Sequence, residues 1–187
     1  EKWRNKYPTI FLSFKDVDGL TFSSAYDMLS VTITELYKEH LYLLESERIS
    51  VYDKEIISRI AKEKASKTDI RKSLELLIRV MQQHYGKEVI VLLDEYDVPL
   101  AKASSNGYYE EMLEIIRSMM GMALKDNRSL KFAVITGCLK IAKESIFTGM
   151  NNLVSDTITD SRLNEYFGFT QEDVDRMLHE AEAGEYA

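Results

Sequence analysis

The sequence predicts an α/β domain in which a parallel sheet is flanked by helices, and three observations predict it. Thr9 to Phe14 (TIFLSF), Glu88 to Leu93 (EVIVLL) and Leu130 to Ile135 (LKFAVI) are nearly continuous apolar runs rich in β-branched and aromatic residues. Strands buried on both faces read this way. The stretches between the runs carry apolar residues every three or four positions, the period of a helix with one buried face. Only 8 Gly and 2 Pro occur in the chain, so breakers are few and helix should exceed the roughly one-third average. Strands alternating with helices imply parallel pairing.

After the first run, Tyr26, Leu29, Ile33, Leu36, Tyr37 and Leu44 form one stripe, and Ile56, Ile57 and Ile60 a second. Ile70, Leu74, Leu77, Ile78 and Met81 form a third, which ends at Gly86, a natural helix stop ahead of the second strand. Met112, Ile115, Ile116, Met119 and Ala123 form the stripe between the second and third strands. The cluster Met112, Met119, Met120 and Met122 fits a packed helix face better than a cofactor site. A short helix is expected around Lys140 to Phe147, and Thr170 with Asp173 opens a last one as a near capping box. No repeat, low-complexity tract or linker splits the chain, so 1–187 reads as one domain, with 157–187 as the start of a helical lid or following subdomain.

With 187 residues, 45% of them hydrophobic and 29% charged, the chain lies far from the signature of disorder. A chain this long buries roughly 70% of its unfolded surface and needs no disulfide or metal staple. The single cysteine, Cys138, cannot form an internal bridge, which favours a reducing, cytoplasmic setting, and no histidine stands at an informative spacing from it. It is expected to be a buried small residue. The 31 acidic and 24 basic residues give a net charge of -7, which disfavours a surface held on nucleic acid by phosphate neutralisation. No apolar run approaches the ~18 to 20 residues that span a bilayer, and Glu1 to Pro8 has no leader pattern. The chain opens at Glu1 rather than Met, as a fragment or processed product would.

Ligands of open parallel sheets bind outside the carboxyl ends of the strands, so the polar residues that follow each run are the ones to inspect. The second run is followed by Asp94 and Glu95. In a nucleoside triphosphatase the first carboxylate of such a pair holds Mg2+ and the second orients or deprotonates the attacking water. The same pair could equally end a buried strand and open a solvated loop. The third run ends in Thr136 and Gly137, which places a hydroxyl beside the acidic pair if the two strands are neighbours, or makes an ordinary turn. No Gly sits in a G-x-x-x-x-G-K-[ST] arrangement, and Gly86-Lys87 continues with Glu88. Without that cradle of backbone N–H groups, this chain alone should hold nucleotide weakly or not at all.

A second candidate follows the first strand, where Asp16-Val17-Asp18-Gly19-Leu20-Thr21 is similar to the D-x-D-G loop of haloacid-dehalogenase-like phosphatases. That likeness implies Asp16 as nucleophile and Asp18 as acid, but no acidic pair follows a strand beyond Thr136, and the segment also reads as an Asx-type turn. His40, His84 and His179 stand in separate helical segments without paired spacing, so no zinc site is expected.

Taken together, the residues resemble those of a bacterial predicted AAA-ATPase-like family of large proteins. Lys6 to Val17 (KYPTIFLSFKDV), Leu92 to Leu100 (LLDEYDVPL), Ala133 to Leu153 (AVITGCLKIAKESIFTGMNNL) and Glu165 to Val174 (EYFGFTQEDV) carry the resemblance. D-E-Y-D-x-P and T-G-x-x-x-I-A-K-x-S-I-F are its specific parts.

The resemblance implies a P-loop ATPase core whose Walker B strand ends at Asp94, the Mg2+ ligand, and Glu95, the catalytic carboxylate, with Thr136 as a sensor-like residue. Lys140, Lys143, Ser145, Asn151 and Asn152 lie in the family's second signature run without individual roles, and Arg162 is a candidate phosphate-sensing arginine. ATP and Mg2+ are implied for the intact protein. Family members carry a phosphate-binding loop upstream of the K-Y-P strand and often a nuclease-like domain downstream, and the chain shows neither. It is therefore expected to be a core missing its first strand and phosphate loop, inactive by itself, with nucleic acid reached only through other domains. An unpaired strand near Phe132 to Ile135 would then invite self-association. The alternative of another class is a non-catalytic interaction module of the same fold.

Overall fold

The computed structural model describes residues 3–138, 146–147, 153–157, 160 and 168–181. Three strands, β1 (Thr9–Ser13), β2 (Val89–Asp94) and β3 (Leu130–Ile135), pair in parallel in the order β1-β2-β3. They lie within a residue of the three apolar runs. The helices are α1 (Phe22–Glu39), α2 (Val51–Ala61), α3 (Lys67–Tyr85), α4 (Val98–Asn106), α5 (Tyr109–Leu124) and α6 (Gln171–Glu180), with a short 3-10 turn at Leu41–Glu45. The chain divides into two compact units, 1–150 and 151–187. The second contains α6, opened by the Thr170–Asp173 capping box. The helix expected around Lys140 to Phe147 lies largely outside the described residues.

Local chemistry sets the helix limits. Thr21, Ser50 and Ser66 each accept a hydrogen bond from a backbone N–H three residues on, at the starts of α1, α2 and α3. Each such cap is worth about 1 kcal/mol. The chain leaves α3 through Gly86 at φ 64°, a left-handed conformation open to glycine at little cost.

One core cluster joins the sheet to α1, α2, α3 and α5. The sheet contributes the row Ile10, Val91 and Ala133 and the row Leu12, Leu93 and Ile135, residues held opposite one another by the register. Helix α3 packs along α5 and holds α1 through a fully buried Tyr37, whose hydroxyl donates to the Ser73 carbonyl at 2.7 Å. Burial pushes that hydroxyl well above its ordinary pKa, so it remains a neutral donor. Met112, Met119 and Met120 are buried in α5, whereas Met122 points out, 42% exposed.

The expectation of strands buried on both faces holds for β2 and is corrected for β1 and β3. On the opposite face Phe11, Leu92 and Val134 share a row outside the core cluster, with Phe11 58% and Val134 47% exposed. The strand order explains this. The strands advance in one direction, and right-handed crossovers then carry both connections, with their helices, to the same side. Apolar side chains remain on the other side, where the Trp3 ring meets Phe132 edge-on at 5.2 Å.

Two bidentate ion pairs tie α2 to its surroundings. Arg79 of α3 donates to Asp53 at 2.9 and 3.0 Å, and Arg59 of α2 donates to Asp69 at 2.8 and 2.9 Å. The Arg59 hydrogen bonds, helped by Ser66 and opposed by desolvation, hold the Asp69 carboxyl at about 2, below the usual carboxylate value. A depressed folded-state pKa stabilises the fold above the unfolded value near 4, and that contribution is lost as pH falls toward 2. Asp69→Asn should cost on the order of 1 to 2 kcal/mol at pH 7, trimmed by solvent around Arg59, and the gap to wild type should narrow to a small fraction of that by pH 2. Urea unfolding at pH 7, 4 and 2 reads this, and a gap unchanged across the series would exclude the charge as its source.

Candidate functional site

The site forms where β2 and β3 end side by side. Parallel register sets Ser13 opposite Asp94 on one flank of β2. On the other flank the ladder runs one residue past β3, because the Thr136 N–H donates to the Leu93 carbonyl at 2.9 Å. The Thr136 hydroxyl thereby reaches Asp94 and donates to its Oδ1. The expected neighbourhood of hydroxyl and acidic pair is present, and it follows from the adjacency of β2 and β3.

Glu95 takes φ 53°, in the left-handed region, which costs a residue with a Cβ about 1 kcal/mol. The kink turns the chain off the strand. The Tyr96 N–H then donates to the Thr136 carbonyl at 3.3 Å, and the Val98 N–H to the Glu95 carbonyl at 3.1 Å as α4 begins.

Two residues without a role in the sequence reading hold this corner together. Asp97, 3% exposed, accepts the Cys138 N–H on Oδ2 at 2.9 Å. A Cβ on Gly137 would lie 2.6 Å from Asp97 Oδ1 and 2.7 Å from a Tyr96 ring carbon, closer than atoms pack. The segments Asp94-Glu95-Tyr96-Asp97 and Thr136-Gly137-Cys138 are therefore one interlocked unit. The Tyr96 ring is seated against Phe147 at 5.4 Å, and burial raises its hydroxyl pKa, with the Asp97 charge adding to the shift. Asp97 stands three residues after Asp94, a spacing that in retrospect signals a return of the chain to the same strand ends.

Asp94 and Glu95 are half-buried, and their hard carboxylate oxygens suit Mg2+. Thr136 occupies Oδ1 of Asp94 and leaves Oδ2 for a cation or its water. Among the described residues no three His, Cys, Asp or Glu side chains converge to hold a metal by themselves.

The other candidates fall elsewhere. Asp16 lines a groove between β1 and α1, and Asp18 pairs with Lys102 at 3.4 Å; neither hydrogen-bonds to Asp94 or Thr136. Cys138, expected to be buried, is exposed, because it lies on the loop past Gly137, where its backbone N–H is bonded to Asp97. His40 and His84 meet around the Tyr42 ring, at 5.8 and 5.6 Å, although they stand in separate helical segments. Arg162, Lys140, Lys143, Ser145, Asn151 and Asn152 lie outside the described residues. No helix among the described residues is long and apolar enough to cross a membrane.

Against known proteins, residues 1–147 match the family model described as predicted AAA-ATPase. An uncharacterized protein in the vnfD 5′ region of Azotobacter chroococcum mcd 1 is 35% identical over 103 residues, 54% of this chain and 20% of that protein. The matched part spans about a fifth of this curated relative's length. No solved structure matches the chain.

The interlock makes a prediction. Gly137→Ala should drive a Cβ into Asp97 and Tyr96, cost about 1 to 3 kcal/mol and lower Tm by about 2 to 10 °C. Cys138→Ala keeps the backbone bond and should leave Tm within about 1 °C. Thermal melts of the two variants compare them directly, and equal shifts would show that close packing at Gly137 does not control the corner.

Proposed function

The chain belongs to the predicted AAA-ATPase family, and we propose that it supplies the carboxylate and sensor part of a Mg2+-dependent ATP-hydrolysing site. One observation carries this reading: the Thr136 hydroxyl bonded to Asp94 at the ends of two adjacent parallel strands, with Glu95 next in the chain. Two carboxylates and a hydroxyl at the carboxyl edge of a parallel sheet are among the groups that phosphoryl transfer to water draws from a protein, beside a phosphate cradle.

Each residue has a distinct part. Thr136 fixes the Asp94 carboxylate through one oxygen, so the other is presented in one orientation to the cation or its water. Glu95, turned off the strand by its left-handed backbone, orients the attacking water and accepts its proton. Asp97 and Gly137 position Thr136 without touching substrate. Mg2+, when bound with ATP, neutralises charge on the phosphates. The phosphate cradle comes from polypeptide outside these 187 residues and enters beside β3, the terminal strand among those described. The chain alone is therefore inactive in this reading.

In the protein carrying both this chain and a phosphate loop, Glu95→Gln should lower steady-state ATP hydrolysis by about 100-fold or more and leave ATP affinity within a few-fold. Turnover and nucleotide binding are measured on the same preparations. Unchanged turnover removes Glu95 from the chemistry. Absence of any turnover in the parent, with the cradle present, transfers the chain to the alternative class, an interaction module of the same fold.

A further inference from the structure

The outer edge of β1 has no partner strand among the described residues, and it borders a groove whose lining contains none of Asp94, Glu95 and Thr136. The Ile90 N–H donates to the Pro8 carbonyl at 2.9 Å and the Phe14 N–H to the Asp94 carbonyl at 3.0 Å. In a parallel ladder this phase assigns residues 8, 10, 12 and 14 to β2. Thr9, Phe11 and Ser13 therefore direct their N–H and carbonyl groups outward. Natural edges are commonly blunted by Lys, Pro or a bulge, and Thr9–Ser13 contains neither residue and pairs with β2 in unbroken register.

Beside this edge runs an open groove of about 600 Å3 between β1 and α1. Its exposed apolar part is Phe11, Met28 and Val31, which are 58%, 38% and 48% exposed, over a floor that includes the buried Leu12 and Leu36. Its charge is one-signed: Asp16, Glu35 and Glu39 contribute carboxylates, and His40 is the one other ionisable group in the lining. Glu35 is shared with Lys38 at 2.8 Å, and Asp16 and Glu39 enter no ion pair among the described residues.

We propose that this edge and groove capture an extended segment of a partner polypeptide, rich in Lys or Arg and alternating with apolar residues, as a fourth strand beside β1. The backbone row supplies hydrogen bonds, Phe11, Met28 and Val31 receive an apolar side chain, and Asp16 and Glu39 receive cations. Charge selects this occupant over a second copy: two β1 edges meeting about a twofold axis would bring their acidic rims together, an unfavourable approach.

The test titrates the chain with two blocked octapeptides, (Val-Lys)4 and (Val-Glu)4, and follows amide hydrogen exchange by NMR. The Lys peptide should slow exchange at Thr9, Phe11 and Ser13 by about tenfold or more, and the Glu peptide should not. The surface double variant Asp16→Lys, Glu39→Lys should reverse the preference. Binding without protection of those three amides, equal binding of both peptides or an unreversed preference overturns the proposal. Protection that grows with protein concentration in the absence of peptide also overturns it and assigns the edge to a second copy.

Discussion

A parallel strand bonded on both sides is the one element whose backbone, register and side-chain directions are fixed together, and β2 is that strand here. Its register with β1 places Ser13 at one side of Asp94, and its register with β3 brings Thr136 to the other. The hydrogen bond between Thr136 and Asp94 is thus a consequence of strand pairing, and the side chains add little to their own placement. What they add is closure. Asp97 and Gly137 lock the two loops once the strands have aligned them, so the corner inherits the rigidity of the sheet.

The helical layer serves the same strand from beneath. Tyr37 and Ser73 bind α1 to α3, and the Asp53–Arg79 and Asp69–Arg59 pairs fasten α2 to α3. Asp53 and Asp69 also accept hydrogen bonds from Ser50 and Ser66 at their helix starts. Each carboxylate thereby links a local event, where a helix begins, to a tertiary one, which helix lies beside it.

Much of this was readable from residue order. The β2 run is continuous because a strand paired on both sides has almost no solvent-facing position, and the stop at Gly86 and the box at Thr170 and Asp173 are local events written in single residues. Asp94 and Thr136 could be placed together only conditionally, since strand order is set by tertiary packing. The meeting of His40 and His84 at Tyr42 is hidden for the same reason. The left-handed backbone of Glu95 leaves no trace because no glycine marks it. Exposure of Cys138 turns on the strand ending at Ile135, three residues earlier. The apolar runs record that Phe11 and Val134 suit a covered surface, but composition does not record what supplies the cover.

The one-way order of the strands has a topological consequence for ligand binding. In open α/β sheets the crevice that admits a ligand opens where successive connections depart to opposite faces, a switch point in the strand order. The described sheet advances from β1 to β3 without such a reversal. A strand joining beyond β3 with its connection on the other face would create such a point, with Asp94, Glu95 and Thr136 on one lip of the crevice. The same addition would shelter Val134 and bring the N-terminus of a helix toward the acidic corner, where its dipole would draw in the negative charge that these carboxylates repel.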